Sequence, residues 1–191
     1  MKRESIPAPA PHPEQVTIVD RDNRALGVVA RSTMRSQGLI HRASYILVRN
    51  QAGELFVQKR SGSKDVFPGY WDPAAGGVVQ AGENYEESAQ RELMEELGIA
   101  AGLSLLFDHF YDGPETRVWG RIYGCRHEGP FSLQKEEIDC GRFMGLEEIF
   151  ALGPAEKVTP DGLEILRRLE QEQPAAWLAD QIGRASCRER V

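Results

Sequence analysis

Cysteine and long apolar runs are both scarce in this chain of 191 residues. Its three cysteines, Cys125, Cys140 and Cys187, are widely spaced and form no CxxC pair. They therefore indicate neither a disulfide framework nor a zinc cluster, and they suit a reducing compartment. No apolar run approaches the roughly 18 residues that a membrane span requires, and the N-terminus, MKRESIPAPAPHP, lacks the apolar stretch of a signal peptide. We therefore expect a cytoplasmic protein with no membrane partner.

Basic residues are also fewer than acidic residues. Asp and Glu number 29 against 23 Lys and Arg, which gives a formal net charge of −6. Binding to nucleic acid or to an anionic membrane needs a basic face, so the composition argues against both as general partners. An acidic enzyme that acts on a phosphate ester usually needs a cation between itself and its substrate, although composition alone indicates this only weakly.

The two ends of the chain differ in composition from the middle. Residues 1–13 are rich in Pro and Ala and carry no periodicity, which predicts a disordered tail. Residues 182–191, IGRASCRERV, carry three arginines and a cysteine beyond the last predicted helix. They read like a translated sequencing adaptor, so we interpret them as a non-native tail. Residues 14–181 show no internal repeat and no interior linker, and one domain is the simplest interpretation.

Short strands alternate with helices along this domain. Strand-like patterns occur on both sides of a polar turn in residues 17–32, and again in residues 43–50, 54–60, 103–111 and 117–125. Short helices are predicted at residues 32–37, with Ser32 as N-cap and Gly38 beyond the end, at 146–152, and from Pro160 onward. Strands interleaved with helices, some joined by hairpin-length turns, predict an α/β layer structure with a mixed sheet.

One helix, residues 85–97, has clear local signals. Asn84 is a good N-cap and Glu87, three residues later, completes a capping box. An apolar face recurs at every fourth residue through Ala89, Leu93 and Leu97, and Gly98 follows where a left-handed cap favours glycine.

Three carboxylates share another face of this helix. Glu92, Glu95 and Glu96 are spaced i, i+3 and i+4, a spacing at which each like-charge pair costs roughly 0.2–0.5 kcal/mol. Two of them also lie toward the helix C-terminus, where the helix dipole disfavours anions. Clustered oxygen ligands are what Mg²⁺ prefers. A solvated acidic face is the ordinary alternative for such a cluster, and the wider sequence pattern decides against it.

That wider pattern resembles the Nudix box, GX5EX7REUXEEXGU with U apolar. It is matched at every defined position, by Gly77, Glu83, Arg91, Glu92, Leu93, Glu95, Glu96, Gly98 and Ile99. The resemblance implies the family's α/β/α sandwich with a mixed β-sheet, so that residues 14–181 form a single Nudix hydrolase domain with its core at about 40–172.

The resemblance also implies a site. Glu92, Glu95 and Glu96, with the Gly77 carbonyl, are the implied ligands of Mg²⁺, with Mn²⁺ as an alternative. Arg91 and Glu83 resemble an ion pair that orients the helix. The implied reaction is hydrolysis of a diphosphate linkage in a nucleoside diphosphate joined to another moiety, or in a related small diphosphate compound. The general base is left open among Glu95, Glu96 and a downstream loop acid, Glu136 or Glu137.

A finer resemblance, carried by HRASYILV, SKDVFPGYWDPAAGGVVQAGE and RVWGRIYGC, is to the YfcD-type bacterial branch of the family. That branch is related to isopentenyl diphosphate isomerase, whose chemistry needs a Cys where this chain has Gly76 and a His where it has Val78. Glycine cannot replace a thiol in proton transfer, so we disfavour isomerase activity.

Other residues are weaker candidates. We expect five of them to contact substrate, namely His41, Arg42, Lys59, Arg60 and Glu137, with Lys64 as a further candidate for the phosphates. Each has an ordinary structural alternative. The competing hypothesis for the whole chain is a catalytically silent Nudix-fold module that binds a nucleotide and regulates. Loss of a box glutamate would favour this module, and Glu92, Glu95 and Glu96 are all intact.

Overall fold

A large mixed β-sheet lies at the centre of the computed structural model, which describes residues 14–152, 156–172 and Trp177. Within these residues the sheet has nine strands. They are β1 (Gln15–Val19), β2 (Ala25–Ala30), β3 (His41–Arg49), β4 (Leu55–Arg60), β5 (Trp71–Asp72), β6 (Ala75–Val78), β7 (Ser104–Asp112), β8 (Arg117–Arg126) and β9 (Ile138–Met144). The helices of the same residues are α1 (Arg31–Ser36), α2 (Tyr85–Leu97), α3 (Leu146–Ala151) and α4 (Pro160–Glu172). The predicted α/β class with a mixed sheet is confirmed.

Strand β3 organises the sheet. It pairs in parallel with β8 along its whole length, from His41 opposite Val118 to Arg49 opposite Arg126. On its other edge it pairs antiparallel with β6 and makes single-residue contacts with β1 and β4. Strands β5 and β9 continue from β4, and β7 continues from β8, all antiparallel. The parallel β3–β8 pair is what makes the sheet mixed.

Apolar side chains from β3 point alternately to the two faces of the sheet. Ile46 and Val48 pack in a cluster with the apolar face of α2, whereas Leu47 packs in a second cluster with α4 residues Ile165 and Leu166. Each of these side chains is at most 1 % exposed, and burial of one such side chain stabilises by about 1.5–3 kcal/mol. Two helical layers therefore cover the sheet, which explains why residues 45–48 read as a continuous apolar run.

The predicted cap of α1 is wrong. The helix begins at Arg31 with Ala30 as its N-cap, and no side chain caps it. Strand β2 runs directly into the helix, and the Arg31 N–H donates to the Glu14 carbonyl at 2.8 Å. Since Arg31 is already the first helical residue, Ser32 lies inside the helix and does not occupy the N-cap position. Gly38 does follow the helix end, with φ of 57°.

Parts of the sequence prediction lie beyond what the structure describes. The predicted tails at residues 1–13 and 182–191 are outside the described residues, as is most of the stretch between Glu172 and residue 182. In the portion of the chain that is described, no helix combines the length and apolarity needed to cross a membrane.

Candidate active site

Helix α2 is held in place by the signals that its sequence carries. Asn84 Oδ1 accepts hydrogen bonds from the backbone N–H groups of Glu86 and Glu87 at 2.9 and 3.0 Å. The Glu87 carboxylate in turn accepts from the Asn84 N–H at 2.9 Å, which completes the capping box. At the other end Gly98 adopts the left-handed conformation, with φ of 67° and ψ of 27°. The predicted helix and both of its caps are confirmed.

The apolar face of α2 determines where its carboxylates lie. Ala89, Leu93 and Leu97 are 0 % exposed and pack against the sheet. Glu96 lies next to Leu97 and is buried with it, and its side chain is 1 % exposed. The Glu95 side chain, by contrast, is 52 % exposed. The three box glutamates therefore lie in different environments, and Glu96 is a buried carboxylate.

Buried Glu96 is only partly satisfied by protein groups. Its Oε2 accepts hydrogen bonds from Gln58 Nε2 at 3.1 Å and from the Gly76 N–H at 3.0 Å. Its Oε1 is buried without a hydrogen-bond partner and lies 3.8 Å from Lys64 Nζ. Burial raises the pKa of the Glu96 carboxyl to about 7, although Lys64 opposes the shift. A buried carboxylate with an unpartnered oxygen is the kind of group that a bound cation stabilises.

Two consecutive glycines bring the strand β6 backbone against these carboxylates. At Gly77 an added Cβ would lie 2.4 Å from Glu92 Oε1, and at Gly76, where φ is +146°, it would lie 2.0 Å from the Ser44 carbonyl oxygen. Neither position has room for a side chain. Glu92, whose pKa is raised by burial, is thereby packed directly against Gly77.

Arg91 joins the helix to the loop that precedes it. Its Nε and Nη2 donate to the two oxygens of Glu83 at 2.7 and 3.0 Å, a bidentate pair. Its Nη1 donates to Glu92 at 2.7 Å and to Glu95 at 3.1 Å. The hydrogen bond from Arg91 lowers the pKa of Glu83, while the same bond raises the pKa of Arg91. The ion pair that the motif implied is present in the structure.

The carboxylates do not converge on a single point. Among the described residues, no group of three or more His, Cys, Asp or Glu side chains is placed to share a metal ion. Arg91 forms ion pairs with Glu92 and Glu95, whereas Glu96 lies near a different cation, Lys64. Lys64 Nζ also donates to Glu137, so this lysine brings the predicted loop acid beside the box. The donor set nevertheless fits a hard cation, because it consists of carboxylates, of which Glu96 is buried with one oxygen lacking a hydrogen-bond partner.

A cavity of about 70 Å³ lies beside Gly76 and Gly77. Of the five predicted substrate contacts, His41 and Arg60 line it. Glu137 lies at the box instead, against Lys64.

The structure does not bring Arg42 and Lys59 to this cavity. Arg42 follows His41 in β3 and points to the opposite face, where it donates to the side chain and backbone oxygens of Asn23 at 2.8 and 2.7 Å. Lys59 Nζ lies 5.1 Å from the centre of the Trp71 ring. Both side chains make contacts within the protein, and their role in binding substrate stays a prediction.

Sequence reasoning missed several residues of the site. Gln58 donates to Glu96, and the cavity wall includes Arg35, Tyr45, Asp72 and Asp161. Gln58 carried one available signal, since it is the polar residue that directly follows the apolar residues 55–57 of strand β4. Asp161 follows Pro160 in the first turn of α4, and there its sequence context is that of an ordinary helix-start charge.

The comparisons with known proteins agree with this arrangement of strand, glycine loop and acidic helix. The model of the NUDIX domain family matches residues 39–169. An uncharacterized Nudix hydrolase of Yersinia pestis is 48 % identical over 159 residues, which is 83 % of this chain and 86 % of that protein. YfcD of Escherichia coli K12, also an uncharacterized Nudix hydrolase, is 43 % identical over 154 residues, 80 % of this chain and 84 % of that protein.

Solved structures of other proteins are also similar in fold to this chain. The crystal structure of DR0079 from Deinococcus radiodurans has a TM-score of 0.70 and 26 % identity, covering 81 % of this chain and 98 % of that one. The NUDIX domain of Shewanella oneidensis NrtR, solved with ADP ribose, has a TM-score of 0.57 and shares 13 % identity, over 69 % of this chain and 87 % of that one.

Fold and site together define a hydrolase of pyrophosphate bonds. The chain belongs to the Nudix family, and its relatives include the YfcD proteins that the sequence resemblance predicted.

Proposed function

We propose that this protein is a Mg²⁺-dependent Nudix pyrophosphohydrolase that cleaves the diphosphate linkage of a small molecule, a nucleoside diphosphate joined to another moiety or a related compound. The observation that carries the proposal is Glu96, a carboxylate buried beside Gly76 with one oxygen unpartnered. Leaving such a group without a partner costs free energy, and a cation that binds it and the substrate phosphates removes that cost.

The reaction is attack of water on one phosphorus atom of the diphosphate. A new P–O bond forms to the water oxygen, and the bond from that phosphorus to the bridging oxygen breaks. The bridging oxygen leaves with the bonding electrons on the other phosphate. A carboxylate of the site accepts the proton that the water loses. When bound, Mg²⁺ supplies neutralisation of the phosphate charge and acidifies water.

We assign the residues of the chain to this reaction as follows. Glu92, Glu96 and the Gly77 carbonyl, with Glu95 at the exposed edge, would hold the ion, with Mn²⁺ as an alternative to Mg²⁺. The Arg91–Glu83 pair holds α2 against the loop and so positions Glu92. Glu95, Glu96 and Glu137 are the candidates for the general base, and Glu137 is supported by its contact with Lys64 beside Glu96.

We also propose that the protein works in the cytoplasm on a free small molecule, with no nucleic acid or membrane as partner. The net charge of −6 and the wide spacing of the three cysteines, which form no CxxC pair in the sequence, support this.

The test is release of phosphate or of a phosphorylated product from a panel of diphosphates. The panel should include nucleoside di- and triphosphates, dinucleotides, nucleotide sugars and coenzyme A, each with Mg²⁺ and with chelator. We expect hydrolysis that chelator abolishes and that Glu96→Gln lowers at least 100-fold. The matched control is Glu86→Gln, which removes an exposed carboxylate from the same helix.

Two results would contradict the proposal. Full activity in Glu96→Gln would show that the metal site is assigned wrongly. Silence across the panel, from a folded protein that still binds Mg²⁺ in calorimetry, would favour the catalytically silent module.

A further inference from the structure

Lys64 is a largely buried cation that faces the acidic helix α2. Its side chain is 14 % exposed, and its ammonium lies 3.8 Å from Glu96 Oε1 and donates to Glu137. Glu96 Oε1 is itself buried and has no hydrogen-bond partner. A buried charge without a compensating charge is costly. Lys64 therefore supplies positive charge to an oxygen that no hydrogen bond satisfies.

The backbone around Lys64 holds the residue in this place. The Lys64 N–H donates to the Ser61 carbonyl at 3.2 Å, which closes a tight turn. The Ser61 N–H donates to the Glu137 carbonyl at 2.8 Å, and Ser63 Oγ donates to the Glu136 carbonyl at 3.1 Å. These bonds join two segments that are 73 positions apart in sequence. None of them uses the Lys64 side chain, so the turn persists if the ammonium moves.

The oxygen that Lys64 faces is also the one that Glu96 offers to a metal ion. Glu96 Oε2 already accepts from Gln58 Nε2 at 3.1 Å and from the Gly76 N–H at 3.0 Å, which leaves Oε1 for a cation. An ammonium and a divalent ion repel each other strongly at the short distance that two partners of one oxygen impose. The ion therefore binds Oε1 only when the ammonium withdraws.

Lys64 is able to withdraw, because its ammonium stands at the end of a flexible four-carbon stem. Its second partner, Glu137, is 37 % exposed, so the ammonium keeps one carboxylate as it moves toward solvent. Arg91 differs, since its planar guanidinium is fixed by the bidentate pair with Glu83 and by a further bond to Glu92. Of these two cations, Arg91 is structural and Lys64 is exchangeable.

We propose that Lys64 is an exchangeable internal cation, which compensates Glu96 in the protein without metal, competes with Mg²⁺ for Oε1 and withdraws toward Glu137 when the ion binds. The inference rests on the proposed function and adds a control of metal affinity at the same site. The competition weakens Mg²⁺ binding relative to the same carboxylates without the lysine, so the site fills only as the concentration of free Mg²⁺ rises.

The first test is calorimetric titration with Mg²⁺, without substrate, of the wild type, Lys64→Met, Lys64→Arg and Lys157→Met. Lys157 is exposed and lies over the Tyr70 ring, so its variant controls for the loss of one positive charge. We expect Lys64→Met to bind Mg²⁺ about tenfold more tightly than the wild type, because the competing charge is gone. Lys64→Arg, which keeps that charge, and Lys157→Met should both stay close to the wild type.

The second test follows Lys64 in the wild-type protein. Lysines are acetylated with acetic anhydride in chelator and in saturating Mg²⁺, and the sites are quantified by mass spectrometry. Lys64 should react several times faster in Mg²⁺, since its ammonium has left the buried carboxylate, while Lys157 reacts equally in both. Unchanged or weaker Mg²⁺ binding in Lys64→Met, or a Lys64 acetylation rate that Mg²⁺ does not raise, overturns the exchange. Acetylation decides the matter if Lys64→Met does not fold.

Both tests omit substrate, which separates this inference from the proposed hydrolysis. Chelator-sensitive hydrolysis together with an unaltered Mg²⁺ affinity in Lys64→Met overturns the exchange and leaves the hydrolase intact. Tighter Mg²⁺ binding by Lys64→Met in a protein that hydrolyses nothing supports the exchange, and only the proposed hydrolysis fails. If none of the four proteins binds Mg²⁺, the metal site and the exchange are both wrong.

Discussion

The buried His41 imidazole makes the stability of the fold depend on pH in a calculable way. Burial lowers the pKa of His41 to about 4 from the ordinary value of 6.5, and the nearby Arg35 guanidinium adds to the shift. The ring is 2 % exposed, so the shift applies to a group that is screened from solvent. At 1.4 kcal/mol per pKa unit, the difference between 6.5 and about 4 corresponds to about 3 kcal/mol of stability.

The sign follows from proton binding. The folded state binds a proton at His41 more weakly than the unfolded state does, so this contribution to stability is complete above pH 6.5 and is lost as the pH falls through about 4. His41→Asn removes the titration, and the asparagine amide is able to replace Nδ1–H as donor to the Leu39 carbonyl. The wild type should therefore lose about 3 kcal/mol more than the variant between pH 7 and pH 4.

Urea unfolding in chelator at pH 7.0, 5.5 and 4.0 measures this difference. Any packing cost of the substitution shifts the variant equally at each pH and cancels from the comparison. His41→Gln, which is also unable to titrate, serves as the control and should show the same pH dependence as His41→Asn. If wild type and both variants lose stability in parallel as the pH falls, the assignment of a neutral buried imidazole at His41 is wrong.

Four further substitutions test the site and its support. Leu93→Ala should lower the free energy of unfolding by about 2–5 kcal/mol, and a loss below 1 kcal/mol would contradict its place in the core. Asn84→Ala should cost about 1 kcal/mol in the same urea assay, and no loss would refute the cap. Lys64→Met removes the cation nearest Glu96 and should destabilise the protein more in chelator than in Mg²⁺; equal losses would argue against a shared site. Gly77→Ala displaces the Glu92 carboxylate and should lower hydrolysis about 100-fold with only a small change in melting temperature; unaltered turnover would contradict the role of Gly77 in positioning Glu92.

Local features of the fold were predictable, because their causes lie close together in the sequence. Helix α2 could be placed from Asn84, Glu87 and Gly98, since each of these residues acts on the backbone within a few positions of itself. The cap predicted at Ser32 was wrong because the helix begins at Arg31, directly after β2, which puts Ser32 inside the helix. The Arg31 N–H bonds to the Glu14 carbonyl, a partner that is remote in sequence.

The cavity could not be predicted, because its polar wall comes from distant segments. Tyr45 and Asp161 are hydrogen-bonded across 116 positions of sequence. In sequence, Tyr45 begins the apolar run of residues 45–48 and Asp161 is an acid at a helix start, and neither pattern indicates a pocket. Only the packing of α4 against β3 places the two side chains together.

The Nudix pattern accounts for only one of the two consecutive glycines of β6, whereas the structure gives a physical reason for each. The Nudix pattern defines Gly77 and leaves Gly76 free, yet the structure demands glycine at both positions for unlike reasons. At Gly76 a Cβ would meet the backbone oxygen of Ser44 at 2.0 Å, and φ is +146°, so the pairing of β6 with β3 itself requires glycine. At Gly77 the obstacle is the far end of the Glu92 side chain, which is able to move. Gly76 is therefore required by the fold and Gly77 by the site. The residue that stands where the isomerase needs its cysteine is thus one that this backbone restricts to glycine.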